Sequence, residues 1–188
     1  MPKRVDQDAR RRDIADTVMR IIGTRGIEAA TVRVVAAEAG VSAGAVQRCF
    51  ATRAELLRFV LQHNNVRFTA RVAARMARQS DPADETVGLR VVIDEMLPVD
   101  DERRLTSAAT LALLAYSATD AQAAEVMRAA YAGAHAFFAR AFTMESAIGL
   151  YAVISGLQGP LIVGAITPEQ AWSVVDAAIA GATRVAAR

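Results

Sequence analysis

No stretch of this 188-residue chain alternates apolar and polar residues with the period of two that marks a half-buried β-strand. Apolar residues recur instead at helical spacing throughout the sequence. One face of the first predicted helix, residues 11–24, carries Ile14, Val18, Ile21 and Ile22. The recurrence of this spacing, without the period of two, predicts an all-α fold.

Glycines, prolines and small polar residues divide the pattern into about nine helices. The predicted spans are 11–24, 32–39, 43–50, 53–78, 82–96, 101–117, 121–142, an uncharged run within 146–168, and 168–185. The residues placed to cap helix starts are Thr31, Ser42, Thr52 with Glu55, Asp120, and Thr167 with Gln170.

The net charge of +2 hides a difference between the two parts of the chain. Residues 1–60 contain 11 basic and 7 acidic residues, a net charge of +4, and the remainder has a net charge of −2. A basic N-terminal part favours a polyanionic partner for that part alone. A solvated basic face is the alternative that the charge leaves open.

Two features bear on the compartment. The single cysteine, Cys49, excludes an intrachain disulfide and fits a reducing cytoplasm, and no apolar stretch follows the basic N-terminus as it would in a secretory signal.

Residues 146–168 carry no charge and are nominally long enough to span a bilayer. Several glycines, Pro160 and Gln158 interrupt the run, and no basic anchor flanks it, so a helix buried between protein surfaces is the preferred interpretation.

Two short predicted helices meet at Gly40 with the spacing of a helix-turn-helix. Gly40 supplies a turn conformation that a side chain would resist. Val46 and Phe50 are expected to face inward from the second helix. The residues left near or on its outer side are Ser42, Ala43, Gly44, Ala45, Gln47 and Arg48.

Small residues at the start of this second helix allow it to approach base edges and phosphates in a DNA major groove closely. Its free amides favour phosphate oxygens. Gln47 can pair with an adenine edge, and Arg48 can reach guanine or a phosphate. Further backbone contacts are expected from Thr31, Arg33 and Arg53. The alternative is a tight helical corner whose alanines serve only packing.

The segment RRDIADTVMRIIGTRGIEAATVRVVAAEAGVSAGAVQRCFATRAELLRFVL, residues 11–61, resembles the DNA-binding domain of the TetR family of transcriptional regulators. The likeness covers three helices, the glycine turn, Phe50 and the basic-x-Glu-Leu-Leu start of the fourth helix. It implies an all-α fold of about nine helices. It also implies a helix-turn-helix domain over residues 1–52 and an effector-binding and dimerisation domain over 53–188.

Three positions depart from the family pattern. Gln47 stands where the family usually has a tyrosine, often a phosphate contact, and Arg53 stands where it usually has lysine. Arg53 keeps the positive charge and adds a forked donor. Cys49 replaces a frequent histidine or aromatic residue, and we interpret it as a packed thiol rather than a redox sensor.

A single helix-turn-helix reads only a few base pairs, so specific binding calls for two modules about one DNA turn apart, roughly 34–36 Å. We therefore expect a homodimer on a palindromic double-stranded operator. The last two helices are the candidate interface, and the resemblance implies that they form a four-helix contact between subunits. The side chains predicted for it are Tyr151, Ile154, Leu157, Leu161, Trp172, Val175 and Ile179. A purely internal role for both helices is the alternative.

The resemblance also implies an effector pocket in the middle helices. The candidate lining residues are Phe59, His63, Phe68, Met96, Tyr116, Tyr131, His135, Phe138 and Tyr151, although each of them also fits a plain core position. The scarcity of charge among them favours a small apolar or aromatic effector. His63 and His135 lack metal-ligand companions at short spacing, so neither a metal site nor a cofactor is expected.

Three functions compete for this sequence. A ligand-responsive DNA-binding regulator, most simply a repressor in the cytoplasm, accounts for the basic helix-turn-helix joined to an apolar helical body. An enzyme lacks support, since the chain has no Gly-rich phosphate loop, no GxSxG and no HExxH, and pairs such as Asp94-Glu95 look like solvated positions. A protein-interaction or membrane-associated helical module without DNA binding rests on the uncharged run. The effector, the operator sequence, the regulated genes and the direction of regulation are not encoded in any motif.

Overall fold

The computed structural model describes the backbone of residues 2–79 and 85–186 and the side chains of residues 7–79 and 86–182. Within those ranges the chain is helical and contains no strand, which confirms the all-α prediction. The helices are α1 Pro2–Arg25, a short 3-10 helix Ile27–Ala29, α2 Val32–Glu38, α3 Ala43–Cys49, α4 Arg53–Met76, α5 Glu85–Met96, α6 Asp101–Ser117, α7 Ala121–Phe138, α8 Met144–Ile162 and α9 Pro168–Ala186.

The chain forms two compact units, and helix α4 supplies residues to both. Unit 1 consists of residues 1–67 and 108–127, and unit 2 consists of residues 68–107 and 128–188. The predicted functional boundary lies earlier, between residues 52 and 53, and these units do not test it. Unit 1 extends past that boundary because Leu56, Leu57 and Val60 of α4 are buried in the core of the first three helices.

Each unit has its own apolar core. In unit 1, Ile14 and Val18 of α1 pack with Val35, Val46 and the first half of α4, and α6 and α7 contribute Ala109, Leu113 and Ala123. The core of unit 2 joins side chains of α5, α7, α8 and α9; among those exposed by 1% or less are Ile93, Phe138, Ile154, Leu161 and Val175. Burial of these apolar faces provides the main driving force for folding of each unit.

Local hydrogen bonds explain where several helices begin. Thr31 and Ser42 accept from the amides of Val34 and Ala45 at 3.3 and 3.1 Å. Asp120 accepts from Ala123 at 2.8 Å. These bonds confirm the three predicted N-caps, because each satisfies an amide that has no partner within the helix.

The two predicted capping boxes differ in outcome. Thr167 accepts from the Gln170 amide at 3.3 Å and Gln170 accepts from the Thr167 amide at 2.9 Å, as predicted. Thr52 accepts from the Glu55 amide at 3.0 Å, but Glu55 accepts from the amide of Ala51, at 2.8 Å. The Glu55 carboxylate therefore ties Ala51, the middle residue of the link between α3 and α4, to the first turn of α4.

The predicted helix limits are wrong in several places for local reasons. Helix α7 ends at Phe138 because the amides of Arg140 and Ala141 bond to carbonyls only three residues back, and Thr143 then caps α8. Helix α8 ends at Ile162, where Gly164 adopts a positive φ of 71°. Helix α1 begins nine residues before the predicted start at residue 11. The predicted start of the fifth helix at Pro82 lies outside the described residues.

Asp94 and Glu95 were predicted to be solvated, and this is wrong for Glu95, which is 9% exposed. Glu95 pairs with Arg71, and with Arg75 at 3.2 Å. Asp94 contacts Arg75 at 2.6 Å and Arg103 at 2.9 Å. The two carboxylates and their arginine partners form an ionic network. This network joins the second half of α4 to α5 and to the start of α6 in unit 2. Burial of Glu95 is tolerated because two guanidinium groups and their hydrogen bonds replace water.

None of the described helices is long and apolar enough to cross a membrane. Helix α8 belongs to the core of unit 2, where Leu150, Ile154 and Leu161 are buried. Packing within the chain therefore accounts for the buried side of the uncharged run, while other residues of the run, Ile148 and Gly156 among them, stay exposed.

We predict opposite stability effects for alanine at two glycines. Gly40 has a φ of 65°, which disfavours any side chain, so Gly40→Ala should lower the free energy of unfolding by about 1–2 kcal/mol. Gly133 lies exposed in helix α7, and a Cβ there meets no atom within 4 Å. Gly133→Ala should raise the free energy of unfolding by about 0.5–1 kcal/mol. Denaturant unfolding followed by circular dichroism measures both; a neutral Gly40→Ala would contradict the turn's role.

Candidate functional site

Helices α2 and α3 form the predicted helix-turn-helix, with Gly40 at the turn. Val35 of α2 and Val46 of α3 have no exposed surface, and Phe50 directly after α3 is 4% exposed. The inward direction predicted for Val46 and Phe50 is confirmed. Ala45, however, is buried at 8% exposure and does not belong to the outer side.

The predicted DNA-contacting residues lie on the opposite side of this corner. Gly44 is half-buried, and the exposed members are Thr31, Arg33, Ser42, Ala43, Gln47, Arg48 and Arg53. Exposure makes these side chains available to a ligand. Ser42 also has the structural duty of capping α3.

The arginines of this surface differ in how their charges are used. Among the described residues, Arg33 and Arg48 have no carboxylate partner within ion-pair distance. Arg53 donates to the Ile27 carbonyl at 2.7 Å and pairs with Glu28 at 3.4 Å. Arg33 and Arg48 therefore present uncompensated positive charge, while Arg53 also holds the loop before α2.

A residue that sequence reasoning did not single out occupies the junction of α1, α3 and α4. The Arg11 guanidinium lies 4.4 Å from the ring centroid of Phe50 and 4.6 Å from that of Phe59. It donates to the Cys49 carbonyl at 2.6 Å and to Glu55 at 3.3 Å. No local pattern marks this role, because its hydrogen-bond partners lie 38 and 44 residues away in the chain.

Three of the nine predicted effector residues lie in unit 1. The rings of Phe59 and His63 stack at 6.1 Å between centroids, and His63 Nε2 lies 2.9 Å from an oxygen of Asp16, which also binds Arg67. Tyr116 donates to Asp120 at 2.7 Å. Phe59 faces Arg11, and the polar groups of His63 and Tyr116 already have partners. These interactions give all three residues a structural role within unit 1.

The other predicted effector residues lie in unit 2, where four of them form a cluster of rings. Tyr151 is the centre: its ring centroid lies 5.3 Å from Tyr131, 5.2 Å from His135 and 6.3 Å from Phe138, all near edge-to-face. Burial raises the pKa of the Tyr151 phenol above its usual value, and the nearby Tyr131 adds to the shift. We call Tyr131, His135, Phe138 and Tyr151 the aromatic cluster. Phe68 and Met96 belong to the core of unit 2.

The predicted dimerisation residues need correction. Ile154, Leu161 and Val175 are exposed by no more than 1% and Leu157 by 9%, all within one chain, so these side chains have almost no surface to offer a second copy. Tyr151, Trp172 and Ile179 are half-buried. Arg90 covers part of Trp172, with its guanidinium carbon 5.1 Å from the ring centroid. The sequence pattern identified the apolar side of each helix correctly, but that side faces its own chain.

The same two helices also carry exposed apolar side chains that the sequence analysis did not single out. Ile148 of α8 and Val174 of α9 are each 46% exposed, and Val163 just after α8 is 77% exposed. Small uncharged residues, Ala152 and Gly156 among them, lie on the same side of α8 as Ile148. An added Cβ at Gly156 meets no atom of the described residues within 4 Å, so the space beside this glycine is open.

Two predictions concern residue types that can bind a metal ion, namely that Cys49 is a packed thiol and that the chain has no metal site. Cys49 is 5% exposed in the core of unit 1, which supports a packed thiol. No group of three or more histidine, cysteine, aspartate and glutamate side chains in the described part of the chain is arranged to hold a metal ion.

Two family models match this chain. Residues 14–60 match the model described as bacterial regulatory proteins, tetR family. Residues 85–184 match the model of the BetI-type transcriptional repressor, C-terminal. The second match alone covers more than half of the 188 residues.

Individual proteins are also similar to this chain. The chain is 36% identical over 102 residues to the HTH-type transcriptional regulator PksA of Bacillus subtilis (strain 168), a match spanning 54% of this chain and about half, 48%, of that relative's length. A transcriptional regulator from Rhodococcus sp. Rha1 superposes with a TM-score of 0.81 at 26% identity, over 94% of this chain and 97% of that one. The multidrug binding protein EbrR, complexed with malachite green, has a TM-score of 0.68 at 27% identity, over 95% of this chain and 97% of that one.

The aromatic cluster predicts an alkaline loss of stability. The unfolded chain releases the Tyr151 proton near pH 10, whereas the folded chain retains it to higher pH. The contribution of the neutral Tyr151 phenol to the free energy of unfolding is therefore fully present below about pH 10. It is lost as the pH rises through the pKa of Tyr151 in the folded chain. Tyr151→Phe should weaken this decline in the free energy of unfolding, measured by denaturant unfolding at successive pH values. The chain has one lysine, Lys3, so tyrosines dominate this range, and an unchanged decline would contradict the assignment.

Proposed function

Because the chain belongs to the TetR family of bacterial regulatory proteins, we propose that it is a homodimeric, ligand-responsive transcriptional repressor. Each subunit reads one half of a palindromic operator with the surface of α2 and α3. A small apolar or aromatic effector binds unit 2 and releases the DNA. The protein acts in the cytoplasm and uses no cofactor.

The observation that carries this proposal is the uncompensated charge of Arg33 and Arg48 beside small residues. Phosphate and guanine are the groups that an exposed guanidinium with no internal partner binds best on DNA. Ala43 and Gly44 add no bulk at the start of α3, so the helix can approach base edges closely. Gln47 lies exposed one residue before Arg48 and supplies a bidentate amide for adenine.

Dimerisation is supported by a strip of exposed apolar and small residues on α8 and α9, which we define as Ile148, Ala152, Gly156 and Val174. Its apolar members, Ile148 and Val174, are about half exposed, and Gly156 allows a second helix to approach closely. No charged residue lies within residues 146–168 to oppose that contact. We therefore assign the interface to this strip together with the exposed parts of Tyr151, Trp172 and Ile179, and not to the side chains already buried.

Effector binding is supported by the aromatic cluster. Tyr131, His135 and Tyr151 are each half-buried, so their ring edges are packed while some surface stays available. EbrR was crystallised with malachite green, a molecule built of aromatic rings. An apolar or aromatic effector fits the aromatic cluster, because each ring contact stabilises the bound effector by about 0.5–1.5 kcal/mol beyond burial.

Release of DNA is assigned to helix α4, which supplies residues to both units. Its first half is held in unit 1 by His63 and Arg67, which contact Asp16 of α1. Its second half is held in unit 2 by the ion pairs of Arg71 and Arg75 with α5. An effector that favours another position of the second half would shift the balance between DNA-binding and released states.

The DNA-binding proposal is tested on the DNA upstream of the protein's own coding sequence, by binding titrations at several salt concentrations. Arg48→Ala should weaken specific binding by about 1–3 kcal/mol and relax base preference. Arg33→Ala should weaken binding to all sequences and lower the salt slope by about 1. Two chains should bind per operator.

The matched control is Arg140→Ala, which removes the same charge from an exposed position of unit 2. It should leave both affinity and salt slope unchanged. Wild-type protein that shows neither a specific complex nor a salt dependence would refute the proposal.

The effector proposal predicts a response that depends on the aromatic cluster. In a panel of small aromatic compounds, a ligand at about 100 times its Kd should stabilise the wild type by about 2.7 kcal/mol, raise its Tm and release operator DNA. Tyr131→Ala should lose both responses, whereas Tyr116→Ala, which alters a tyrosine of unit 1, should keep them. An equal loss in both variants would argue against the cluster as the effector site.

A further inference from the structure

We propose that Arg11 is a positioning residue for DNA reading, a role that rests on the proposed function of α3. Arg11 does not belong to the surface predicted to touch DNA. It holds the end of α3 and the start of α4 in one arrangement, and so sets the direction of the outer face of α3.

The contacts of Arg11 converge on the link between the two helices. The Cys49 carbonyl, which accepts one of its N–H groups, belongs to the last residue of α3. Phe50, whose ring lies under the guanidinium, is the next residue. Phe59 and Glu55, the other two partners, lie in the first two turns of α4. One side chain of α1 thus binds both helices that the link connects.

Glu55 extends this arrangement into the link itself. One of its carboxylate oxygens accepts from Arg11, and the other accepts from the amide of Ala51 at 2.8 Å. The contacts from Arg11 through Glu55 to Ala51 leave the three-residue link, residues 50–52, little freedom. Since α3 has only seven residues, its direction depends on such contacts and not on its own hydrogen bonds.

The geometry favours arginine over any other residue. A planar guanidinium can face two aromatic rings while its edge donates to a carbonyl and a carboxylate. The Arg11 side chain is 24% exposed, so these interactions are less screened by water than those of a surface ion pair. A lysine at this position would keep the charge but lose the fork, and methionine would keep only the bulk.

The test compares Arg11→Met with Arg12→Met. Both variants remove one positive charge from α1, but Arg12 is exposed and has no ion-pair partner among the described residues. If only overall charge matters, the two variants should change thiol reactivity and operator affinity equally. If Arg11 is a positioning residue, only the Arg11 variant should change them.

The first readout needs no DNA. Cys49, the chain's single cysteine, is 5% exposed and adjoins the Arg11 contacts, so its reaction rate with a chromogenic aromatic disulfide reports opening of this junction. Arg11→Met should raise that rate about tenfold or more, by loss of two charged hydrogen bonds and two cation–ring contacts. Arg12→Met should react as the wild type does. Equal rates in all three proteins would overturn the inference even if the protein binds DNA as proposed.

The second readout is the ratio of operator to non-specific affinity. Arg11→Met should lower this ratio about tenfold to a hundredfold while the salt slope on non-specific DNA stays unchanged, because no phosphate contact is lost. A reduced slope would identify Arg11 as a DNA contact and overturn the positioning role. Failure of the wild type to prefer any operator would instead refute the proposed function, with the thiol result still deciding the junction.

A second pair of variants covers the case in which Arg11→Met does not fold. Arg11→Lys keeps the charge, and Arg12→Lys is its control. Arg11→Lys should still raise the thiol rate and lower the affinity ratio, by smaller factors than Arg11→Met, whereas Arg12→Lys should change neither. Full wild-type behaviour of Arg11→Lys would show that charge alone suffices and would contradict the role of the fork.

Discussion

The outer face of α3 exists as a defined surface only because its inner face is buried. A seven-residue helix makes too few hydrogen bonds to be stable in water, so α3 depends on its contacts with the rest of unit 1. Val46 and Cys49 supply the apolar part of those contacts. The Arg11 interactions also fix the orientation of α3, since hydrogen bonds and ring contacts restrict angles that apolar burial leaves free.

Helix α4 continues this dependence into the second unit. Its start is held by Glu55 and Arg11, its middle by Asp16, and its second half by the buried Glu95. Ion pairs are specific in distance and angle, and a partly buried one loses much when a single partner moves.

Burial within one chain competes with binding to other molecules for the same apolar residues. Ile154 and Val175 satisfy the pattern of an interface helix, yet they complete the core of unit 2. The apolar side chains that stay exposed on the same helices, Ile148 and Val174, lie outside that core face. The aromatic cluster shows the same competition, because Phe138 is buried while Tyr131 and His135 keep some surface.

The sequence by itself determined the helices, most of their caps, the glycine turn and the family, because these depend on residues close together in the chain. Thr31, Ser42 and Gly40 act over three or four positions, which a linear pattern displays. The tertiary structure alone decided the roles of Arg11 and Glu95, whose partners lie 20 or more residues away in the chain. It also decided which apolar side of α8 faces the core, since helical periodicity shows that a side is apolar but not what covers it.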